Sequence, residues 1–337
     1  MICPLASPSA GALNVSPAAQ PSADVSVVVV NYNTAHLLKR MFAALDAATA
    51  SLKVEVIVID NASVDDSVAI LEHEYPTVTL IKNKTNVGFG RANNQAIPHL
   101  HGRYVLLLNT DAFVAADTLE KTVSYMNDHP SCGVLGVKLI GEDGSLQPSC
   151  RYFPTPWNVF LRRTGLSRFF SRHRLVDDMD WDHASVRRCD WVPGCYYLAR
   201  GELVRQLGLF DPRFFLYYEE VDHCRVVKNA GWEVIYYPFT EVMHIGGESA
   251  KSSSAITKAG RQISVLQIES EFLYFRKYYG LVGLLSGVLL SIFADALTAM
   301  NGLFRRLDFQ GVRIAWQHIV TVFRIVGATR LAAQPTR

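Results

Sequence analysis

Hydrophobic and polar positions first alternate between two periods along the chain. Val25-Ser-Val-Val-Val-Val30 is an apolar, β-branched run that predicts a strand buried on both faces. It ends in Asn31-Tyr-Asn-Thr34, and Leu37, Leu38, Met41, Phe42 and Leu45 then recur at helical spacing. Val54-Glu-Val-Ile-Val-Ile-Asp60 repeats the strand pattern, and Asn61 to Ser67 supplies the turn, where Ser63 or Asp65 can cap the next helix. A third short strand is predicted over Val78 to Ile81. The glycine-bearing loop Asn86-Val-Gly-Phe-Gly90 and a small helix through Ala96 follow it. Tyr104-Val-Leu-Leu-Leu108 is a fourth strand, closing on Asn109-Thr-Asp111.

Strands alternating with helices predict a parallel sheet of right-handed βαβ units, in which ligands bind where the strand carboxyl ends open. Three of those ends are polar here: Asn31 with Asn33, Asp60 with Asn61, and Asn109 with Asp111. They mark one site from topology alone.

The pattern lapses between Ser149 and Arg188. Arg162, Arg163, Arg168, Arg172 and Arg174 interleave there with Phe160, Leu161, Phe169 and Phe170, giving either a solvated helix face or a patch for anionic lipid or an acceptor diphosphate. Order returns over residues 191 to 247. Leu281 to Ala294 then runs without a charge, short for a span of about 20 residues. A helix lying in or against a membrane is favoured over a packed helical pair, and a true span comes third.

Composition changes this picture little. The chain has 337 residues, 49% hydrophobic and 19% charged, enough for a full core and roughly two folded units. A net charge of +2 gives no ground for a nucleic-acid partner. The six cysteines form no CxxC pair and read as reduced thiols in a cytosolic setting. Residues 1–23, rich in Ala, Ser and Pro, read as a flexible leader with no signal-peptide pattern.

Candidate chemistry gathers in acids. Asn109-Thr-Asp111 suits a hard cation such as Mg²⁺ or Mn²⁺, although an Asp after a strand is often only a turn former. Glu219, Glu220 and Asp222 crowd within four positions among aromatics, so repulsion should raise one of them toward a useful base; a helix N-terminus collecting acids is the plainer reading. His244-Ile-Gly-Gly247 places an imidazole beside a flexible backbone.

Taken together, Val29-Val-Asn-Tyr-Asn33, Val58-Ile-Asp-Asn-Ala-Ser63, Asn86-Val-Gly-Phe, Leu107-Leu-Asn-Thr-Asp111 and the stretch from Trp191 to Asp222 resemble the family-2 glycosyltransferases of GT-A fold. The likeness is to the bacterial rhamnosyltransferase-like branch of polysaccharide biosynthesis. It implies an α/β fold, GT-A, with a Rossmann-like nucleotide-binding half and a mixed central sheet, plus a C-terminal helical membrane-associating segment. The glycosyltransferase domain would span 24–250, with a donor half to about 140 and an acceptor half beyond it; 251–337 would be the helical region.

By the same resemblance Asp60 contacts the nucleotide base, with Asn31, Asn33, Asn61, Asn86 and Gly88 lining its pocket. Asp111 is the metal carboxylate, with Asn109 in place of the first acid, and His244 completes the metal or diphosphate site. Glu220 stands where the family has its general base. Asp222 is the second choice, Glu219 orients the acceptor, and Trp191 walls the acceptor side.

The implied activity is an inverting, divalent-metal-dependent hexosyl transfer. The donor is a nucleotide-sugar, dTDP-rhamnose favoured over UDP-sugars, and the acceptor a saccharide or polyprenyl-linked saccharide. The implied location is the cytoplasmic face of the cell membrane, peripherally bound. A nucleotidyltransferase-like enzyme and a catalytically silent binding or scaffold protein are the alternatives.

Overall fold

The computed structural model describes residues 21–170, 175–177, 179–246, 265–306 and 309–337. Most of the expected leader, Arg172 and Arg174 of the basic segment, Gly247 and the expected boundary near 250 lie outside them.

One ten-stranded sheet organises the chain, in the order β3-β2-β1-β4-β9-β6-β10-β5. Its parallel part is β1 (Ala23–Asn31), β2 (Val54–Asp60), β3 (Thr79–Lys82) and β4 (Gly102–Asn109). The remainder is mixed. β5 (Ala112–Val114) runs antiparallel to β10 (Glu233–His244), β10 parallel to β6 (Cys132–Ile140), and β9 (Tyr196–Arg200) antiparallel to both β4 and β6. Two short strands, β7 (Leu146–Gln147) and β8 (Arg187–Arg188), pair at the side. The mixed sheet of the GT-A architecture is present, and the fully parallel sheet read from strand–helix alternation stops at β4.

The apolar runs are buried on both faces, as predicted. Val25, Val27 and Val29 point into one core layer and Val28 into the other; Tyr104, Leu106 and Leu108 alternate likewise with Val105 and Leu107. Helices α1 (Ala35–Ala48), α2 (Ser67–Glu74), α3 (Phe89–Asn94), α4 (Thr118–Asp128), α5 (Pro156–Thr164), α6 (Gly201–Leu207) and α7 (Glu219–Asn229) accompany the sheet. α5 falls in the stretch where the sequence pattern lapses. Thr155 and Asn158 close a capping box at its start, and Gly165 in the left-handed region ends it.

The C-terminal region holds α8 (Val265–Arg306) and α9 (Phe309–Ala328). Val265–Phe304 is long and apolar enough to cross a membrane by composition, yet it is not one straight rod. At Gly280 the backbone leaves the helix with φ 65° and ψ −160°, a region open essentially to glycine. A Cβ on Gly287 would lie 2.6 Å from the Phe275 ring. A straight helix would part those residues by about 18 Å. The two halves, 265–279 and 281–306, therefore fold back on each other, with Gly283 and Gly287 admitting Tyr279 and Phe275.

The segment is thus packed as a helical pair, which is compatible with its lying against a membrane. Its outer surface is nevertheless apolar: Val282 (76% exposed), Leu285, Leu289, Phe293 and Phe304 on α8, and Phe309, Trp316 (65%), Val320 and Phe323 on α9.

Gly287→Ala should therefore destabilise the protein by about 1–3 kcal/mol through overpacking. Phe275→Leu in the same chain should recover part of the loss. Urea unfolding of the three variants checks this, and an unchanged midpoint for Gly287→Ala would rule out the folded-back packing.

Candidate active site

Strand register builds the first part of the site. Asn31 lies opposite Asp60 and Asp60 opposite Lys82, while Asn109 falls level with Val30, so the polar strand ends share one edge of the sheet. Asn31 Nδ2 donates to Asp60 Oδ1 at 2.8 Å and to Ser63 Oγ at 3.0 Å. Asp60 Oδ2 accepts from the Ser63 amide at 3.0 Å. Asn33, at φ 53°, holds the same turn by donating its amide to Ser63 Oγ and accepting from the Val64 amide. The expected capping by Asp65 is met in part, since its carboxylate accepts from the amides of Ala35 and Ser67.

The adjoining loop is tied down by amide side chains. Asn61 Nδ2 donates to Asn86 Oδ1 at 2.9 Å, and Asn61 Oδ1 accepts from the Val87 amide at 3.0 Å. Asn86 Oδ1 also accepts from the Gly88 amide at 2.9 Å. Gly88 has φ 91°, and a Cβ there would sit 2.4 Å from the Phe215 carbonyl oxygen, so no other residue fits. All six expected nucleotide-site residues are brought together. Asn31, Asp60 and Asn61 are buried, however, and hydrogen-bond to the turns around them.

Antiparallel pairing of β5 with β10 sets His244 opposite Ala112, and the Ile245 amide donates to the Asp111 carbonyl at 3.1 Å. His244 Nε2 consequently faces Asp111 Oδ1 at 3.6 Å. The other ring nitrogen, Nδ1, lies 2.9 Å from Gln147 Oε1, whose amide is oriented by donating Nε2–H to the His244 carbonyl at 2.8 Å. Gln147 Oε1 can only accept, so Nδ1 carries the proton in this network. Burial pushes the imidazole below its usual range, against the opposing pull of Asp111, so Nε2 presents a lone pair to a carboxylate.

Two electron-rich groups facing each other beyond hydrogen-bond distance fit a shared cation. Among the described residues no cluster of three or more His, Cys, Asp or Glu side chains could hold a metal unaided. A hard divalent cation at a nucleotide site takes most of its ligands from phosphate and water, so two protein ligands suffice. Asn109, expected beside them, is half-buried at the end of β4, and its amide donates to the Cys195 carbonyl at 3.2 Å.

The acidic cluster opens α7. Tyr217 and Tyr218 both adopt φ 71°, a costly turn for two consecutive non-glycine residues, and it launches the helix at Glu219. The three acids then diverge. Glu219 is 1% exposed and faces Gly90; burial, followed by the Glu220 charge, pushes its carboxyl well up, and its Oε1 has no partner among the described residues. Glu220 is also pushed up by burial. The backbone amide of Gly194, its own amide and Arg151 pull the other way. Burial pushes the Cys195 thiol up, and the Asp111 and Glu220 carboxylates add to it.

Asp222 points elsewhere, accepting from Lys277 Nζ at 2.6 Å and the Tyr278 hydroxyl at 2.7 Å on α8. That clasp removes it from the position of a second-choice base. Trp191 is likewise engaged. Its indole is 5% exposed, donates to the Tyr152 carbonyl at 2.8 Å, and has the Arg151 guanidinium 4.0 Å over its ring, so it forms core where an acceptor wall was expected.

Gln147 and Arg151 escaped the sequence reading. Arg151 lies in the region without clear periodicity and Gln147 just before it, and their roles come from strand pairing and ring stacking that no local pattern announces.

Comparison with known proteins agrees with this architecture. Residues 26–187 match the model of "Glycosyl transferase family 2". The chain is 30% identical over 235 residues to the N-acetylglucosaminyl-diphospho-decaprenol L-rhamnosyltransferase of Mycobacterium tuberculosis, covering 65% of this chain and 75% of that protein. It is 20% identical over 205 residues to the low-salt glycan biosynthesis hexosyltransferase Agl10 of Haloferax volcanii, covering 60% of each. Among solved structures, the mannosyltransferase PcManGT of Pyrobaculum calidifontis superposes with a TM-score of 0.53 at 17% identity, over 93% of this chain and 88% of that one. With its mixed sheet, its strand-end site and these relatives, the chain belongs to glycosyl transferase family 2 and is a glycosyltransferase of GT-A fold.

Proposed function

We propose that the enzyme transfers a hexose, rhamnose from dTDP-rhamnose before a UDP-sugar, to a hydroxyl of a lipid-linked saccharide, with inversion and with Mg²⁺ or Mn²⁺. The observation that carries the reading is the Asp111–His244 pair at the strand ends, 3.6 Å apart. Asp111 and His244 would hold the cation, whose chemistry there would be to neutralise charge on the diphosphate. Asn31, Asp60, Asn61 and Asn86 fix the loops that grip the nucleotide. Glu220 takes the proton of the acceptor hydroxyl as that oxygen bonds to the anomeric carbon and the bond to the diphosphate oxygen breaks. One displacement inverts the configuration. Rhamnose and a lipid-linked acceptor are favoured by likeness to the mycobacterial relative, whose name specifies a diphospho-decaprenol substrate.

The apolar outer surface of α8 and α9 supports a peripheral seat on the cytoplasmic membrane face. Residues 309–328 hold no Asp or Glu, and Arg313 and Arg324 are exposed on α9. Trp316→Glu with Phe323→Glu should lower cosedimentation with anionic vesicles at least severalfold while leaving Tm unchanged. Equal cosedimentation would remove the membrane reading.

A thermal-shift panel of dTDP, UDP and GDP, each with and without Mn²⁺, tests the donor site. The largest shift is expected for dTDP, requiring both Mn²⁺ and Asp111. Gln147→Leu should weaken Mn²⁺ binding by roughly 10–100-fold, because His244 loses the partner that sets its tautomer. No nucleotide shift under any condition would return the scaffold alternative.

The raised Glu220 carboxyl carries a charge only above its elevated pKa, so kcat/KM should fall as pH drops through that value. Glu220→Gln should lower turnover by roughly 10²–10⁴-fold with the fold intact. Asp222→Asn should instead lower stability, by breaking the buried Lys277 pair. A rate profile and a urea curve for each variant separate the two, and near-normal turnover in Glu220→Gln would disprove the base assignment.

A further inference from the structure

At Gly165, α5 gives way to a short 3₁₀ turn, Leu166–Phe169, and the two carry an outward cluster of aromatic rings. Phe169 is 68% exposed, and Trp157 and Phe170 are exposed as well. The Trp157 ring meets Phe170 edge-on at 5.8 Å and stacks on Phe160 at 5.5 Å. Phe160 is buried, and it stacks in turn on the exposed Phe293 of α8 at 5.8 Å. This chain of rings links the apolar surface of α5 to the outer side of the hairpin. Large apolar groups gathered on a surface in this way mark a contact with another body.

The charge around the rings points to which body. Residues 152–176 hold five arginines and no Asp or Glu. Residues 309–328 likewise hold no acid, and residues 281–306 hold one, Asp295, buried against Arg163 and His318. Arg163 is thus held inside, and Arg162 shares Asp177 with Arg151. Arg168 differs from both. It is exposed, its guanidinium stands 4.8 Å over the Phe169 ring, and among the described residues it pairs with no carboxylate. An arginine laid on an exposed ring suits the boundary between headgroups and acyl chains, where the ring enters the apolar side and the cation stays with phosphate oxygens. A bilayer with anionic lipid offers that layering at every point of its surface.

We propose that the α5 face, with Trp157, Arg168, Phe169 and Phe170, docks on an anionic lipid surface as a second contact beside the hairpin. The inference rests on the membrane seat proposed for α8 and α9 and adds what that seat lacks. A hairpin lying alone on a bilayer can roll about its long axis. A contact to one side of that axis stops the roll and fixes which way the sheet faces. α5 is joined firmly enough to do so: a capping box fixes its start, and Arg163 ties it to Ser291 and Asp295 of α8. The tilt of the strand-end site over the membrane is then set by two contacts in place of one.

Cosedimentation of the full chain with vesicles tests this, using phosphatidylcholine alone and an equal mixture with phosphatidylglycerol. Arg168→Gln should lower binding to the mixed vesicles about fivefold, the contribution of one arginine at an anionic surface, and leave binding to phosphatidylcholine unchanged. Phe169→Ser should lower binding to both at least severalfold. Both side chains point outward from a short turn, so each variant should keep the wild-type Tm. Trp316 and Phe323 remain in place in these variants, which separates this contact from the hairpin seat. Loss of binding in Trp316→Glu with Phe323→Glu, but none in either α5 variant, would overturn the α5 contact and keep the hairpin. Absence of wild-type binding to both vesicles would overturn the two together. Loss of a dimer in Phe169→Ser by analytical ultracentrifugation, with vesicle binding intact, would assign the face to a second copy and overturn the lipid assignment.

Discussion

Polar side chains withdrawn from water must find partners within the protein, and that constraint shapes the whole of this site. Asn31, Asp60 and Asn61 are buried at the ends of parallel strands, where each loses its hydration. They recover it from one another and from the turns at Ser63 and Asn86, and so the loops at the strand ends are positioned by necessity. The same rule exposes its exceptions. Among the described residues Glu219 keeps an orphaned oxygen, and His244 Nε2 stands beyond hydrogen-bond distance of Asp111.

A second consequence concerns the C-terminal helices, which are part of the machinery. Lys277 clasps Asp222 and Asp211 together, Tyr278 adds to the first, and Ser270 donates to the Leu216 carbonyl. The loop from Phe210 to Tyr218 and the start of α7 are thereby braced from behind. The costly left-handed pair Tyr217–Tyr218 persists only under such bracing.

Much of this was legible in the sequence because it is local. The apolar runs of β1, β2 and β4, the polar residues that end them and the glycine at 88 each announce themselves within a few positions. The acids at 219–222 stand out by their crowding, whereas Asp111 and His244 are linked in sequence only by the family resemblance. What local pattern could not supply was direction. Adjacent acids on one helix turn point to different neighbours, so Asp222 meets Lys277 while Glu220 meets the Gly194 amide. Trp191 looks the same in sequence whether it walls a cleft or fills a core. The fold-back at Gly280 was equally hidden, since a single glycine ahead of the apolar run of Leu281 to Ala294 reads the same in a rod and in a hairpin.

That fold-back bears on how the enzyme would meet its substrates. A rod could pierce a bilayer, whereas a hairpin lying along it offers a broad greasy side and leaves the sheet in water. On the proposed reading the donor arrives through three dimensions and the acceptor through two. The rate would then follow the mole fraction of acceptor among the surrounding lipids, and diluting the membrane with inert lipid would slow the enzyme even at constant bulk concentration.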